Sequence, residues 1–145
     1  MQIRFLWGTD DLSGALSVRR SVLGGEGSGS QGCEFDACEA QAEHVVVYEK
    51  EKPVAAGRMR FGDGWAQLER ICVLKSQRGS GYGKAVVMAL EYLARSRGVY
   101  LLTVCAQLEA EKFYAGQGYV RVSRQFLEVG IPHITMEKKM AVPRG

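Results

Sequence analysis

Apolar side chains recur along this chain with two periods, and the two periods separate its predicted strands from its predicted helices. A period of two, or a short apolar run between turn residues, predicts strands over residues 2–7, 44–48, 53–61, 65–74, 100–106, 120–129 and 133–140. A period of 3.6 predicts a helix from Asp10 or Asp11 to Gly24, a long helix that Gly98 ends and a short helix over residues 107–115. This order predicts a single domain, residues 1–145, of the α/β class, with helices packed on a mixed sheet.

Three details of the pattern lead to further expectations. In the long helix, apolar residues recur at positions 86, 89, 90 and 93, which places Glu91 on the opposite, polar side. Tyr100 to Ala106 is apolar throughout, as expected of a strand that is buried on both faces. Arg19 interrupts the apolar face of the first helix, and we expect its side chain to reach the surface, with a role at a binding site as the alternative.

The strand that ends at Val73 leads into a polar, glycine-punctuated turn, which we call the glycine turn. It reads Leu74-Lys75-Ser76-Gln77-Arg78-Gly79-Ser80-Gly81-Tyr82-Gly83-Lys84 and precedes the long helix. Its glycines allow the backbone to approach a ligand closely, and the first N–H groups of a helix have no intrahelical acceptors, so such a turn binds phosphate. The spacing matches neither a Walker loop nor the dinucleotide Gly-x-Gly-x-x-Gly motif. We therefore expect a different ligand that carries a phosphate tail.

Composition and charge limit the classes of function that this protein can have. Of 145 residues, 46% are hydrophobic and 24% are charged, which is ordinary for a globular protein. No apolar run approaches membrane-spanning length, and residues 1–11 lack the layout of a signal peptide, so we expect a cytoplasmic protein without a membrane partner. Residues 1–69 hold 7 basic and 11 acidic side chains, and residues 70–145 hold 12 and 5. The glycine turn thus belongs to the basic half, as binding of a polyanion requires.

Neither nucleic acid nor metal is predicted as a partner. The basic residues are scattered, and aromatic residues do not alternate with them. Cys33 and Cys38, with His44 nearby, are loosely spaced and lack a fourth ligand for zinc. Cys72 and Cys105 lie within apolar strands, where a free cysteine packs as a small hydrophobic residue.

Two motifs in residues 65–140 resemble landmarks of one enzyme superfamily. Arg78-x-x-Gly81-x-Gly83, after a strand and before an amphipathic helix, is similar to the acyl-CoA signature of the GNAT N-acyltransferases. Ala110-x-x-Phe113-Tyr114-x-x-x-Gly118-Tyr119 resembles the second landmark, a short helix with a tyrosine near the thioester sulfur. The closing segment, residues 126–134, is similar to the bacterial ElaA-like acetyltransferases. The resemblance implies the GNAT fold, with a mostly antiparallel sheet, a central splay and helices on both faces, and it implies acetyl-CoA as cosubstrate.

The resemblance also implies roles for individual residues. Main-chain groups of Ile71, Cys72 and Val73 are expected to pair with the pantetheine amides, and a backbone N–H near Val73 is expected to face the oxyanion. Arg78 is expected to bind the pyrophosphate, because its planar fork bonds two oxygens at once. Tyr114 is expected to act as the acid at the leaving thiolate, with a tyrosine that only packs as the alternative. The other expected cofactor-binding residues are Gln77, Gly79, Ser80, Gly81, Tyr82, Gly83, Lys84 and Gln107.

No general base is evident from the sequence. Glu69 shares a strand face with Ile71 and Val73 and is the preferred carboxylate. His133, His44 and a chain of ordered waters are the alternatives.

The sequence therefore predicts direct transfer of an acetyl group from acetyl-CoA to a primary amine within a ternary complex. The alternative is a non-catalytic acyl-CoA-binding sensor on the same fold. The acceptor is expected to be a small-molecule or peptide amine, and the glycine-rich, then acidic residues 24–43 are expected to set its selectivity. Both a monomer and a homodimer fit the sequence.

Overall fold

Eight strands and three α-helices form in residues 1–7, 10–24 and 42–144, which the computed structural model describes. The strands are β1 (Gln2–Trp7), β2 (Glu43–Glu49), β3 (Lys52–Phe61), β4 (Trp65–Val73), β5 (Leu101–Gln107), β6 (Val120–Arg121), β7 (Phe126–Glu128) and β8 (Ile131–Lys139). The helices are α1 (Ser13–Arg19), which continues as a π-helical turn (Arg20–Gly24), α2 (Tyr82–Ser96) and α3 (Glu111–Ala115). Short 3₁₀ turns, Lys75–Gln77 and Leu108–Ala110, precede α2 and α3. Cys33 and Cys38, which are not predicted to bind metal, and most of the predicted selectivity loop, residues 24–43, lie outside the described residues.

All strands belong to one mixed sheet. Its order is β1-β2-β3-β4-β5-β8-β6, with β7 also paired to β8. Among the described strands, β4 and β5 form the parallel pair, and the other neighbours are antiparallel. The predicted mixed, mostly antiparallel sheet is therefore confirmed.

The parallel pair opens halfway along its length. Pairing between β4 and β5 ends at Leu68 opposite Val104, whereas β5 remains paired with β8 as far as Gln107. The β3–β4 register shifts between Ala56 and Arg58, and Arg70 has a φ of +55°, which together mark a β-bulge in β4. A bulge bends its strand and increases the local twist. The second half of β4 consequently diverges from β5, and the predicted central splay is present.

Helices cover both faces of the sheet, as predicted. On one face, α2 packs on a large apolar core that includes Val45, Met59, Leu68, Leu90 and Leu102. On the other face, α1 packs on a smaller cluster. Close contact on the α2 side requires glycine in β3, because a Cβ at Gly57 would lie 2.6 Å from Cγ1 of Val86. None of the described helices combines the length and the apolarity that a membrane crossing requires.

Three expectations about burial are wrong. Arg19 is fully buried, with Nη2 3.3 Å from Nδ1 of His44 on the adjacent sheet face. Glu91 is only 5% exposed, because Tyr119 and Lys138, much later in the chain, pack on its carboxylate. β5 is not buried on both faces, since its residues alternate between buried and half-buried where the splay opens beside it.

The predicted strand over residues 120–129 is also wrong, because it is interrupted. Its two ends form β6 and β7, and residues 122–125 lie between them. The N–H of Thr135 on β8 donates to the Ser123 hydroxyl at 2.8 Å rather than to a backbone carbonyl. A side-chain acceptor thus replaces one ladder bond, and the chain turns away from β8 at this point.

Candidate active site

A cavity of about 1040 Å³ opens where β4 and β5 diverge. Its wall is formed by the end of β4, the glycine turn, the start of α2, the end of β5, α3 and the β7–β8 hairpin. The predicted site residues in this wall are Glu69, Ile71, Cys72, Val73, Gln77, Arg78, Gly79, Gly81, Tyr82, Gly83, Lys84, Gln107, Tyr114 and His133. The predicted Ser80 and His44 are not part of the wall.

The glycine turn is open at two of its three glycines. Gly79 and Gly81 have φ values of +87° and +85°, a left-handed conformation that favours glycine. A Cβ at either position would meet no atom within 4 Å. Gly83 differs, because a Cβ there would lie 3.2 Å from Cζ of Phe113. Gly83 therefore allows α3 to pack against the start of α2, while the first two glycines leave the turn accessible to a ligand.

Two side chains fix the glycine turn to the sheet. Nε of Arg78 donates to the carbonyl oxygen of Val73 at 3.2 Å, which joins the turn to the end of β4. The hydroxyl of Tyr82 donates to Oε2 of Glu49 at 2.5 Å, which joins the first turn of α2 to the β2–β3 hairpin. This bond to the carboxylate raises the pKa of Tyr82. The predicted cofactor-binding Tyr82 thus directs its hydroxyl at Glu49.

Tyr114 lies in the cavity wall with a buried ring. The ring packs edge-to-face between Phe113 and Tyr119, at centroid distances of 4.9 and 5.7 Å. No hydrogen bond joins its hydroxyl to any of the residues that the structure describes. Burial raises the pKa of Tyr114, so the hydroxyl keeps its proton at neutral pH. The ring is held by packing, and the O–H group is available to a molecule in the cavity.

Glu69 is held by two arginines at the bulge. Its Oε1 accepts from Nε of Arg58 at 2.9 Å and from Nε of Arg60 at 2.8 Å, and its Oε2 accepts from Nη2 of Arg60 at 2.7 Å. Burial acts to raise the pKa of Glu69, but the hydrogen bonds and charges of Arg60 and Arg58 outweigh it, and the pKa lies below the ordinary value. A carboxylate in this state binds a proton weakly.

His133 has a defined tautomer at the far end of the cavity. Its Nδ1 lies 2.7 Å from the carbonyl oxygen of Ile131, and because a carbonyl only accepts, Nδ1 is the donor. In the neutral ring the lone pair is then on Nε2, which lies 3.7 Å from Oε2 of Glu128. The ring stacks on Phe126 at a centroid distance of 6.1 Å. His133 can therefore accept a proton at Nε2.

Sequence reasoning named His133 as one alternative but missed its neighbours. The thiol of Cys105 donates to Oε2 of Glu128 at 3.3 Å, so Glu128 lies between Cys105 and His133. The signal in the sequence is Gly130, whose φ is +76° in a tight hairpin that pairs Glu128 with Ile131. Recognising that turn would have placed Glu128 close to His133.

Comparison with known proteins shows the family to which the chain belongs. A family model described as an acetyltransferase (GNAT) domain matches residues 32–140. The chain belongs to the GNAT acetyltransferase family. It is 44% identical over 130 residues to the uncharacterized N-acetyltransferase YjcF of Bacillus subtilis (strain 168), and the match covers 89% of this chain and 93% of YjcF. This GNAT protein is therefore an acyl-CoA-dependent N-acetyltransferase.

Solved structures agree on the fold. The GNAT chain is similar to Escherichia coli ElaA, with a TM-score of 0.79, 21% identity and coverage of 96% of this chain and 100% of ElaA. It is also similar to an aminoglycoside 6′-N-acetyltransferase complexed with coenzyme A, with a TM-score of 0.74, 16% identity and coverage of 100% and 99%. The GNAT fold expected from the sequence is confirmed.

The Cys105–Glu128 contact predicts how this thiol reacts. Burial and the hydrogen bond to Glu128 raise the pKa of Cys105 to about 12, so little of it is thiolate at neutral pH. Glu128→Gln removes the negative charge and lowers that pKa, and the thiolate is the reactive form. We expect iodoacetamide at pH 7.5 to alkylate Cys105 several-fold faster in the variant, as followed by peptide mass spectrometry. Cys72, whose pKa is raised chiefly by burial, is the internal control and keeps its rate; equal Cys105 rates in both proteins would contradict the contact.

Proposed function

We propose that this protein transfers an acetyl group from acetyl-CoA directly to a primary amine, with Tyr114 as the donor to the leaving sulfur and His133 as the general base. The observation that carries the proposal is the Tyr114 hydroxyl, which lies in the cavity wall without a hydrogen-bond partner among the described residues. The Tyr114 ring is buried, but its hydroxyl oxygen is not among the buried polar atoms, so it is open to the cavity. A ligand in the cavity would supply an acceptor for it.

The residues of the opened sheet fit coenzyme A. Gly79 and Gly81 leave room beside the glycine turn, and the first N–H groups of α2 favour a phosphate group. Arg78, Lys84 and Gln77 line the same end of the cavity and would hold the pyrophosphate there. No described residue pairs with the edge of β4 from Glu69 to Val73 on the β5 side, so its main-chain groups would pair with pantetheine amides. When bound, acetyl-CoA supplies the activated acetyl group.

Direct attack by the amine is favoured over a covalent acyl-enzyme. Among the described residues, the cysteines in the cavity wall are Cys72 and Cys105. Burial raises the pKa of each to about 12. A thiol that keeps its proton is a poor nucleophile, because the thiolate is the reactive form. The amine is therefore proposed to attack the thioester without an enzyme-bound intermediate.

Tyr114 would act mainly through a hydrogen bond to the leaving sulfur. Its raised pKa keeps the proton on the hydroxyl, and ordinary thiols have a pKa of about 8.5, so complete transfer of the proton to a thiolate is unfavourable. A fixed donor that faces developing negative charge nevertheless lowers the barrier by a few kcal/mol. The Tyr114 ring, held by Phe113 and Tyr119, gives that donor a fixed direction.

His133 is favoured over Glu69 as the base. The lone pair of neutral His133 is on Nε2, because Nδ1 donates to Ile131. The Glu69 carboxylate is already bonded to Arg58 and Arg60, which lower its pKa. Glu69 is instead proposed to hold the bulge of β4, and Glu128 to stabilise the charge that His133 gains.

Replacement of Arg78 is predicted to weaken the binding of coenzyme A. Arg78→Ala removes a charged donor from the proposed pyrophosphate site, and we expect calorimetry to give a Kd for coenzyme A about 10- to 100-fold higher. The melting temperature should not change, because the Arg78 side chain is exposed. Arg124→Ala, an exposed arginine outside the cavity wall, is the matched control and keeps the wild-type Kd. An unchanged Kd in Arg78→Ala would refute the pyrophosphate assignment.

Removal of the Tyr114 hydroxyl is predicted to slow acetyl transfer. Acetyl-CoA is mixed with a panel of primary amines, and release of free thiol is followed. We expect turnover with at least one amine in the wild-type protein, and kcat about 100-fold lower in Tyr114→Phe at similar affinity for coenzyme A. Binding of acetyl-CoA without turnover across the panel, identical in Tyr114→Phe, would support the acyl-CoA sensor instead.

His133 and Glu69 are distinguished by a pair of amide variants. We expect His133→Gln to lower kcat about 100-fold or more, because it removes the Nε2 lone pair that would accept the proton of the amine. Glu69→Gln should keep most of kcat and lose thermal stability, since it removes the charge that accepts hydrogen bonds from Arg58 and Arg60. The opposite result, with the large loss of kcat only in Glu69→Gln, would assign the base to Glu69.

A further inference from the structure

Glu91 is a buried carboxylate that the proposed reaction does not use. It lies in the middle of α2 and is only 5% exposed. Its Oε2 accepts two hydrogen bonds, from the Tyr119 hydroxyl at 2.9 Å and from Nζ of Lys138 at 3.1 Å. The three residues come from α2, the segment after α3 and β8, and we call them the Glu91 network.

The stability of the fold does not account for this network. Removing the Glu91 carboxylate from water costs several kcal/mol, and its attraction to the partly exposed Lys138 ammonium often only balances that cost. An apolar set of the same size would stabilise the protein as well. The network instead fixes the orientation of its side chains, because each hydrogen bond holds its donor and acceptor within a narrow range of angles.

Tyr119 is the member of the Glu91 network that contacts Tyr114. The Tyr119 ring, 2% exposed, packs edge-to-face on the Tyr114 ring at a centroid distance of 5.7 Å. The N–H of Tyr119 donates to the carbonyl oxygen of Tyr114 at 3.1 Å. Tyr119 thus supports both the backbone and the ring of Tyr114.

The backbone at Gly118 makes room for Lys138, the third residue of the Glu91 network. Gly118 has a φ of +95°, and a Cβ there would lie 3.3 Å from Cε of Lys138. Glycine therefore allows the Lys138 side chain to pass close to the turn. Its Nζ lies 5.7 Å from the Tyr119 ring centroid, so the cation also contacts the aromatic face.

We infer that Glu91 is a positioning residue: by holding Tyr119, it fixes the direction in which Tyr114 presents its hydroxyl to the cavity. Glu91 itself contacts none of the reacting atoms. The network also joins the helix that starts at the glycine turn to the strand that carries His133. The inference rests on the proposed role of Tyr114 and extends it to a group at the rear of the site.

Tyr119→Phe tests the inference with the smallest change. The variant keeps the ring that packs on Tyr114 and removes only the hydroxyl that Glu91 holds. We expect kcat to fall about three- to tenfold, less than in Tyr114→Phe, because the Tyr114 hydroxyl is still present but less firmly directed, while the KM and the Kd for acetyl-CoA stay unchanged. Tyr92→Phe, which alters an exposed tyrosine on α2, is the matched control and keeps the wild-type kcat.

Combination with Tyr114→Phe shows whether the effect passes through Tyr114. If Tyr119 acts by orienting the Tyr114 hydroxyl, Tyr119→Phe has no further effect on kcat once that hydroxyl is gone. Glu91→Gln, which keeps an oxygen acceptor for Tyr119, should retain more activity than Glu91→Ala. Circular dichroism and coenzyme A binding confirm that each variant is folded.

The outcomes separate this inference from the proposed function. If Tyr114→Phe lowers kcat and Tyr119→Phe does not, the Glu91 network has no positioning role and the proposed role of Tyr114 as hydrogen-bond donor stands. Additive losses in the double variant would also overturn the inference, since Tyr119 would then act by another route. If Tyr114→Phe leaves kcat unchanged, the proposed role of Tyr114 fails and the inference fails with it.

Discussion

The divergence of β4 from β5 is the constraint on which the rest of the molecule depends. Backbone N–H and C=O groups inside a folded domain need partners, and a sheet normally supplies them along the whole length of a strand. Here the parallel ladder stops at Leu68 and Val104, while β8 keeps β5 in place as far as Gln107. The second half of β4 is thus an edge in the interior of the sheet. Such an edge binds an extended ligand with alternating amide groups, as pantetheine has.

The opening is maintained by the bulge in β4 and by the contacts around it. Arg70 takes a left-handed φ at the bulge, and Gly57 on β3 lets α2 approach the sheet closely behind it. Glu69 crosses from β4 to Arg58 and Arg60 on β3 and ties the bulged strand to its remaining neighbour. A non-glycine residue with positive φ costs about 1–3 kcal/mol and persists where its surroundings impose it. The sheet and its salt bridges provide those surroundings.

Features that depend on residues close together in the sequence could be predicted. Features that depend on contacts between residues far apart in the sequence could not. The glycine turn, α2 and most strands follow from local periodicity and turn residues, so their prediction was correct. Glu91 was expected on a polar face because nothing nearby in sequence indicates Tyr119 or Lys138, which cover it from 28 and 47 positions later. The arginine partners of Glu69 are likewise set by the β3–β4 register, which a bulge shifts. Tyr114 and His133 were named because their residue types suit the chemistry, whereas their surroundings required the fold.

The difference between Glu69 and His133 follows from how each is hydrogen-bonded. The pKa of Glu69 is lowered in the folded chain, so its ionised form contributes stability above the pKa of the unfolded chain, and that contribution is lost as pH falls through the lower folded value. Taking a proton in a reaction would weaken its bonds to Arg58 and Arg60 at each turnover. His133 is held differently, because its bond to Ile131 uses Nδ1 and leaves Nε2 outside that bond, 3.7 Å from Oε2 of Glu128. Glu69 is poorly suited to gain and lose a proton at each turnover, because its charge holds β4 to β3. His133 fits the proposed role better, because it is held through Nδ1 and that bond does not use Nε2.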